Sequence, residues 1–233
     1  MAEFAKSGNC FSCELKSSMF CLLTDIQLDE INSNRQQVTF KKGETIFKSG
    51  GPLTHILCIT SGMVKIFLED KNNKKNLLLK IAKPTQLIGG PGFLVDELHH
   101  ITAIALEDTK TCFIKVSDFK EIMAENSKFA FEFIKYRNER VIFYFQRLMD
   151  LTHKQTHGKI ADTLLYLASE VYGSDSFDTL LSRQDLADMS AMTKESVIRI
   201  IKEFVESGII ACNNHHHFEI IDKNKLMKIS KTG

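Results

Sequence analysis

The spacing of apolar residues changes near Ser117, and that change limits the folds open to the chain. From about Val38 to Ile114 the pattern is short, alternating and broken by glycine. In QVTFKKGETIF a Lys42-Gly43 turn separates two apolar stretches. In HILCITSGMVKIFLE, Ser61-Gly62 forms a second turn, and Val64, Ile66 and Leu68 share one face. KNNKK reads as a solvated hairpin loop ahead of a strand, NLLLKIA. Short strands at regular spacing, punctuated by turn residues, mark a sandwich or barrel. A short helical piece, TDIQLDEINSN, precedes them.

From Ser117 onward the spacing is helical. DFKEIMAEN is one helix and SKFAFEFIKYRNERVIFYFQRLMDL a longer one. On the long helix Ile134, Val141 and Leu148 recur at every seventh position, with Tyr144 and Leu151 three residues after two of them. Such a seam suits pairing with another helix. Phe131, Phe133, Phe143 and Phe145 make the helix apolar on other sides too. A helix of that kind needs two neighbours, here its own domain and the same helix of a second chain. Thr152-x-x-Gln155 has the form of a capping box and predicts a helix start, with a hinge over Asp150–Lys154. The next helix, about Lys154 to Tyr172, places Ile160, Ala161, Leu164, Leu165, Ala168 and Val171 on its buried side.

The final stretch is the most specific. Ser182, with Asp185 three residues on, predicts the cap of a short helix. After the tight turn SAM, Thr193 caps a second helix through the amide of Ser196. Val197, Ile200, Ile201, Phe204 and Val205 form its buried stripe, and Gly208 ends it in the left-handed region. Two short helices joined by such a turn make a helix-turn-helix. In IIACNNHHHFEII, Asn213-Asn214 between two β-prone runs predicts a hairpin, hence a wing, and DKNKLMKIS closes the chain as a small helix.

A recognition helix offers its first turns to base edges in the major groove. Glu195 and Arg199, four apart, lie on one face of the second helix. Arginine can donate two bonds to guanine and glutamate can accept one from cytosine, so the pair reads as two base readers. Lys194, Ile198 and Lys202 share the exposed side, and apolar Ile198 suits a thymine methyl. Ser182, Arg183 and Thr193 are candidate phosphate contacts, which position without specifying sequence. The formal net charge is only +1, and Leu180–Gly233 holds eight Lys/Arg against seven Asp/Glu. Attraction to DNA must therefore come from local charge.

Composition excludes other classes. No run of eighteen apolar residues is present, and MAEFAKSGNCFSCELK lacks the apolar centre of a signal peptide, so a cytoplasmic location is expected. The six cysteines are unevenly spread and read as thiols or metal ligands, with Cys58 a core residue and Cys212 incidental. A cupin-like metalloenzyme would need H-x-H histidines and a glutamate on the strands. The β-region has only His55, His99 and His100, without that spacing, and no nucleophile–base or P-loop pattern is seen; an enzyme is not expected. HHH at 215–217 cannot converge on one ion, because adjacent strand residues face opposite ways.

The stretches FKKGETIFKSGGPLTHILCITSGMVKIF, AIALEDTKTCFI and LSRQDLADMSAMTKESVIRIIKEFVESGII resemble the CRP/FNR superfamily of bacterial transcription regulators. The resemblance implies an α+β chain: an N-terminal double-stranded β-helix, or cyclic-nucleotide-binding-like jelly roll, a long dimerisation helix and a C-terminal winged helix-turn-helix. The expected divisions are 1–24, a cysteine-containing segment; 25–126, the β-roll sensor; 127–153, dimerisation helix and hinge; and 154–233, the DNA-binding domain. It also implies a homodimer on a palindromic double-stranded operator, recognition helices roughly 34–36 Å apart, and contact with RNA polymerase. Members that bind cyclic AMP carry Gly-Glu and Arg-Ser pairs, which fall here on Gly89-Gly90 and Ile101-Thr102. With carboxylate and guanidinium both missing, cyclic AMP is not expected in this effector pocket. The FNR branch implies a [4Fe–4S] cluster, whose ligands fall on Cys10, Cys13, Cys21 and Cys112, with a gap before Cys21 two residues longer than that branch's pattern. Ala191 stands where the turn often has glycine.

Overall fold

A computed structural model describes residues 3–5, 9–14, 16–70, 75–214 and 216–232. Residues 71–74 of the expected KNNKK loop and His215 lie outside the described residues. The chain divides into two compact units, Met1–Glu69 with Lys80–Ile142, and Asp70–Leu79 with Phe143–Gly233.

The first unit is a β-roll. Its strands are β1 (Glu3–Ala5), β2 (Gln36–Phe40), β3 (Thr45–Phe47), β4 (His55–Ser61), β5 (Val64–Glu69), β6 (Asn76–Ala82), β7 (Leu87–Ile88), β8 (Thr102–Ala105) and β9 (Thr109–Lys115). They form one sheet in the order β1-β2-β9-β4-β7 and another in the order β3-β8-β5-β6. α1 (Asp25–Asn34) enters through a capping box in which Thr24 and Gln27 each accept the other's backbone N–H. Gly43 and Gly62 sit at φ +83° and +81°, the left-handed turns expected at both places. At Gly62 the backbone is also crowded: a Cβ would lie 2.7 Å from the Asp108 carbonyl oxygen.

Because β-strand side chains alternate, β4 serves two cores. Ile56 and Cys58 face helices, joining Leu53, Leu87 and Phe93 of the roll with Phe119 and Ile122 of α2 (Val116–Glu125) and Phe129 and Phe133 of α3 (Ser127–His153). The phenyl rings of Phe93, Phe119, Phe129 and Phe133 meet edge-to-face at centroid distances of 4.9 to 5.7 Å. Each such pair contributes roughly 0.5–1.5 kcal/mol beyond the burial of its area.

α3 is apolar on a second side as well. Ile134, Val141 and Leu148 of the expected seam are exposed, and so are Ile142, Phe145 and Met149. Tyr144 and Leu151, expected in the seam, are half-buried and lie off this exposed stripe. The real stripe is broader and drifts around the helix, because a straight helix turns 3.6 residues at a time and leaves a seven-residue register behind.

The capping box expected at Thr152 does not form. Thr152 belongs to the last turn of α3, where its hydroxyl donates to the carbonyl of Leu148 at 2.7 Å. The chain breaks at Lys154-Gln155, and α4 (Thr156–Tyr166) begins with Gln155 as N-cap and no side-chain cap bond. A π-helical stretch, Leu167–Tyr172, follows and ends at Gly173 with φ +66°. The remaining elements are β10 (Ser176–Asp178), α5 (Arg183–Ser190), α6 (Lys194–Glu206), β11 (Ile210–Asn213), β12 (His217–Ile220) and α7 (Lys223–Thr232).

One buried charge strains the roll. Lys80 of β6 is 4% exposed and donates to Gln86 Oε1 at 2.8 Å. Burial, with Arg140 and Lys83 nearby, pushes its amine down to about 7. An unfolded lysine titrates near ~10.4, so between those values the unfolded chain holds a proton the folded chain lacks, and stability rises with pH. Lys80→Met should therefore raise the thermal midpoint of the roll by roughly 2–4 °C per kcal/mol gained. Thermal denaturation followed at several pH values should show the gain full below about pH 7 and fading towards ~10.4.

Candidate nucleic-acid interface

Ser182 starts α5 with a complete capping box: its hydroxyl accepts the Asp185 N–H at 3.1 Å, and Asp185 Oδ2 accepts the Ser182 N–H at 2.9 Å. α5 ends at Ala191, held at φ +52° where a side chain costs about 1–2 kcal/mol. Two residues later Thr193 caps α6 by accepting the Ser196 N–H at 3.3 Å. Val197, Ile200, Ile201 and Phe204 are buried; Val205, expected with them, is 39% exposed because it lies beyond the edge of the stripe. Gly208 stops the helix at φ +66°. β11 and β12 then pair from Ile210↔Ile220 to Asn213↔His217, with Asn214 at φ +51° in the turn, and β10 adds to β12. The result is a helix-turn-helix with a three-stranded wing.

The outer face of α6 is bare. Thr193, Lys194, Glu195, Ile198, Arg199 and Lys202 are all exposed. Arg199 does not stand alone: its Nη1 donates to Glu203 Oε1 at 2.6 Å. The other oxygen of Glu203 meets His157 Nε2 of α4 at 2.6 Å. These two partners, His157 first, hold the Glu203 carboxyl below its usual range. The acid that orients the arginine is thus Glu203, one turn towards the C-terminus, and Glu195 remains available. Lys202 lies 3.6 Å from Glu206, an exposed pair that leaves its ammonium accessible.

Arg183 corrects an expectation. It is not turned out towards phosphate; its Nη2 donates to Cys212 Sγ at 3.1 Å and its guanidinium lies 5.0 Å from the Phe218 ring centroid. It fastens the start of α5 to the wing, and Cys212 is the acceptor that makes this possible, not an incidental thiol. The Ser182 hydroxyl also donates to Asp185 Oδ2 at 2.7 Å, so its free capacity for a phosphate is reduced. His217 turns to β10, its Nδ1 3.0 Å from Asp178 Oδ1. Two further polar clamps escaped the sequence reading. Arg147 of α3 donates to the Met189 carbonyl of α5 at 2.5 Å. Lys154 bridges Asp150 at 3.0 Å and Asp162 at 2.6 Å across the break between α3 and α4.

In the first unit, cysteines gather around a second feature. Cys10, Cys13, Cys58 and Cys112 line one cavity of about 50 Å³, with Arg35 and Lys16 also on its wall. Cys58 and Cys112 face each other across β4 and β9. Arg35 Nη1 donates to Cys112 Sγ at 3.5 Å. Burial raises the thiols of Cys10 and Cys112 while Arg35 pulls them back, and burial pushes Cys58 up to about 12. Cys21 is exposed, beside the Ser17 carbonyl, and is not on the cavity wall. Cys58, read as a core residue, lines the cavity, and Cys21, expected among the ligands, does not. Among the described residues no three of His, Cys, Asp or Glu are grouped so as to hold an ion, so the sulfurs surround a space and are not drawn to one point.

Comparison with known proteins agrees with this anatomy. Residues 37–126 match the cyclic nucleotide-binding domain, and residues 158–229 match the Crp-like helix-turn-helix domain. The transcriptional activator protein Anr of Pseudomonas aeruginosa is 22% identical over 99% of this chain and 98% of its own. The anaerobic regulatory protein of Bacillus subtilis is 25% identical over 79% of this chain and 78% of its own. FixK2 of Bradyrhizobium japonicum superposes with a TM-score of 0.78 at 16% identity, covering 85% of this chain and 98% of that one. The chain belongs to the CRP/FNR family of transcription regulators.

In this CRP/FNR regulator the positions expected to line an effector pocket can be placed. Gly89 and Gly90 border a void of only about 10 Å³, whose wall Ile101 and Thr102 do not share. Ile101 packs on Gly90, Arg137 Nη1 of α3 donates to the Gly90 carbonyl at 3.2 Å, and the Tyr136 hydroxyl donates to the Leu87 carbonyl at 3.0 Å. Thr102 is buried and accepts the Ser49 N–H at 3.0 Å. GGPGF is a turn cluster, with the Gly92 carbonyl accepting the N–H groups of Val95, Asp96 and Glu97.

Arg199→Ala should cost about 1–3 kcal/mol of DNA affinity and relax the preference at one base position. Binding-site selection on randomised duplexes checks this; unchanged discrimination would refute the reader assigned to Arg199.

Proposed function

We propose that this regulator binds a palindromic operator as a homodimer, one α6 entering the major groove at each half-site, with DNA affinity set by a signal received in the first unit. The bare outer face of α6 carries this reading. Nothing among the described residues covers Lys194, Glu195, Ile198, Arg199 or Lys202, and the Thr193 cap fixes where the helix begins, which supports a leading end free to meet base edges. The exposed stripe of Ile134, Ile142, Phe145, Leu148 and Met149 supports the dimer, since an apolar helix face this long is covered by another helix in a stable protein. Thr193, Lys194 and Lys202 take phosphate contacts. RNA polymerase is the onward partner and the cytoplasm the site of action. No helix among the described residues is long and apolar enough to cross a membrane.

The signal is redox or oxygen, through the thiol cavity, and not cyclic AMP, whose anionic phosphate would meet Ile101 in place of a cation. Cys10, Cys13 and Cys112, with Cys58 as the fourth thiolate, would hold a [4Fe–4S] cluster, which supplies redox-active iron when bound. Arg35 partly offsets the effect of burial at Cys10 and Cys112, whose thiols nevertheless stay raised. The Bacillus subtilis relative is itself an anaerobic regulatory protein, which favours this class of signal.

Two outcomes are expected. Phe145→Glu should shift the protein to the monomer in analytical ultracentrifugation and weaken operator binding at low protein concentration; unchanged sedimentation would remove the dimer seam. Protein purified without oxygen should show broad visible absorption that Cys58→Ala abolishes and Cys21→Ala preserves; the reverse pattern would return the fourth ligand to Cys21.

A further inference from the structure

On α6 itself Arg199 has one partner, Glu203, a turn further on. Alone, that pair settles little. An exposed ion pair four residues apart on a helix shifts its own population by only about twofold. That is too weak to confine a long side chain to one rotamer. The carboxylate, however, has a second anchor. Its other oxygen lies 2.6 Å from Nε2 of His157, a residue of α4 that is 46 positions away in the chain. Both helices belong to the second compact unit. Lys202, the next cation along α6, is drawn to Glu206 and does not compete for Glu203.

The imidazole is itself held in place. His157 is half-buried in the first turn of α4. Its ring lies against Phe204, centroid to centroid 5.9 Å, and Phe204 is buried in the core beneath α6. Glu203 is kept below the usual carboxylate range, by His157 first and Arg199 second, and an ionised carboxylate can only accept. Nε2 of His157 therefore carries a hydrogen and donates it to one oxygen, while Arg199 Nη1 donates to the other. The carboxylate is gripped at both oxygens by donors from two helices. Its position follows from how α4 packs on α6, and not from the rotamers of α6 alone.

A guanidinium is a planar, rigid fork of donors, so engaging one nitrogen restrains the plane of the rest. Bidentate contact with a base edge depends on that plane. We propose that His157 is a positioning residue for base recognition: bonded to Glu203 from α4, it fixes the plane in which Arg199 meets a base and so sets sequence discrimination at that position. His157 acts through Glu203 and needs no contact of its own with the base. The inference rests on the reading of Arg199 as a base reader.

The test compares binding of the full chain to two duplexes: the selected operator, and the same operator changed at the base whose preference Arg199→Ala relaxes. His157→Leu should reduce the ratio of the two affinities by about three- to tenfold, with the thermal midpoint close to that of the wild type. His157→Gln, whose side-chain amide can donate to the same oxygen, should restore most of the ratio. Glu203→Ala should lose as much as His157→Leu, and adding His157→Leu to Glu203→Ala should change the ratio no further. A ratio untouched by His157→Leu, an equal loss on both duplexes, or a His157→Leu effect that persists without Glu203 would overturn the positioning role. If Arg199→Ala relaxes no base, the reader itself is wrong, and that failure is seen before any His157 variant is measured.

Discussion

Four phenyl rings decide what α3 can do. Phe129 and Phe133 are locked edge-to-face with Phe119 of α2 and Phe93 of the roll, so the first turns of α3 have one face committed to the β-roll. The residues that follow in this unit, to Ile142, turn at 100° per step. Ile134 and Ile142 are left pointing to solvent. A helix anchored along one face and greasy along another is a lever with an unfilled side.

Much of this was legible in the sequence where the information is local. Caps at Ser182 and Thr193, the glycine stop at Gly208 and the turn at Asn213-Asn214 all depend on residues within a few positions of one another, and all form. The change from strand to helix near Ser117 was readable for the same reason, since α2 starts at Val116. What was not legible depended on partners distant in sequence. Arg183 looked like a phosphate contact because it opens a helix; its bond to Cys212 spans 29 residues. Cys58 is core, as its apolar neighbours indicate; its place beside Cys112 at the thiol cavity follows only from the pairing of β4 with β9. Thr152 fits a capping box in spelling, yet α3 runs on through it, because hydroxyls also bond back to the preceding turn.

The near-zero net charge is consistent with the geometry of α6. Affinity for a polyanion normally comes with excess Lys and Arg, and the C-terminal stretch has an excess of one. Glu203 explains part of the balance. It does not oppose DNA binding so much as restrict Arg199, holding one edge of the guanidinium at 2.6 Å while His157 holds the carboxylate from behind. An arginine pinned in this way loses less side-chain entropy on meeting a base, and a misplaced base gains less from it. The arrangement favours discrimination over raw affinity.

The same economy of polar contacts appears at the junction between α3 and the helix-turn-helix. Thr156 begins α4 without a side-chain cap, so local helix chemistry does little to fix the break at Lys154-Gln155. The geometry is set instead by Lys154 between Asp150 and Asp162, and by Arg147 on the Met189 carbonyl. These groups are mostly buried, and breaking such contacts costs more than breaking a surface pair. Arg147 holds the last residues of α5 directly before the strained Ala191 turn that leads into α6. The last turns of α3 are thus tied by a side-chain hydrogen bond to the residues just before the turn that leads into α6.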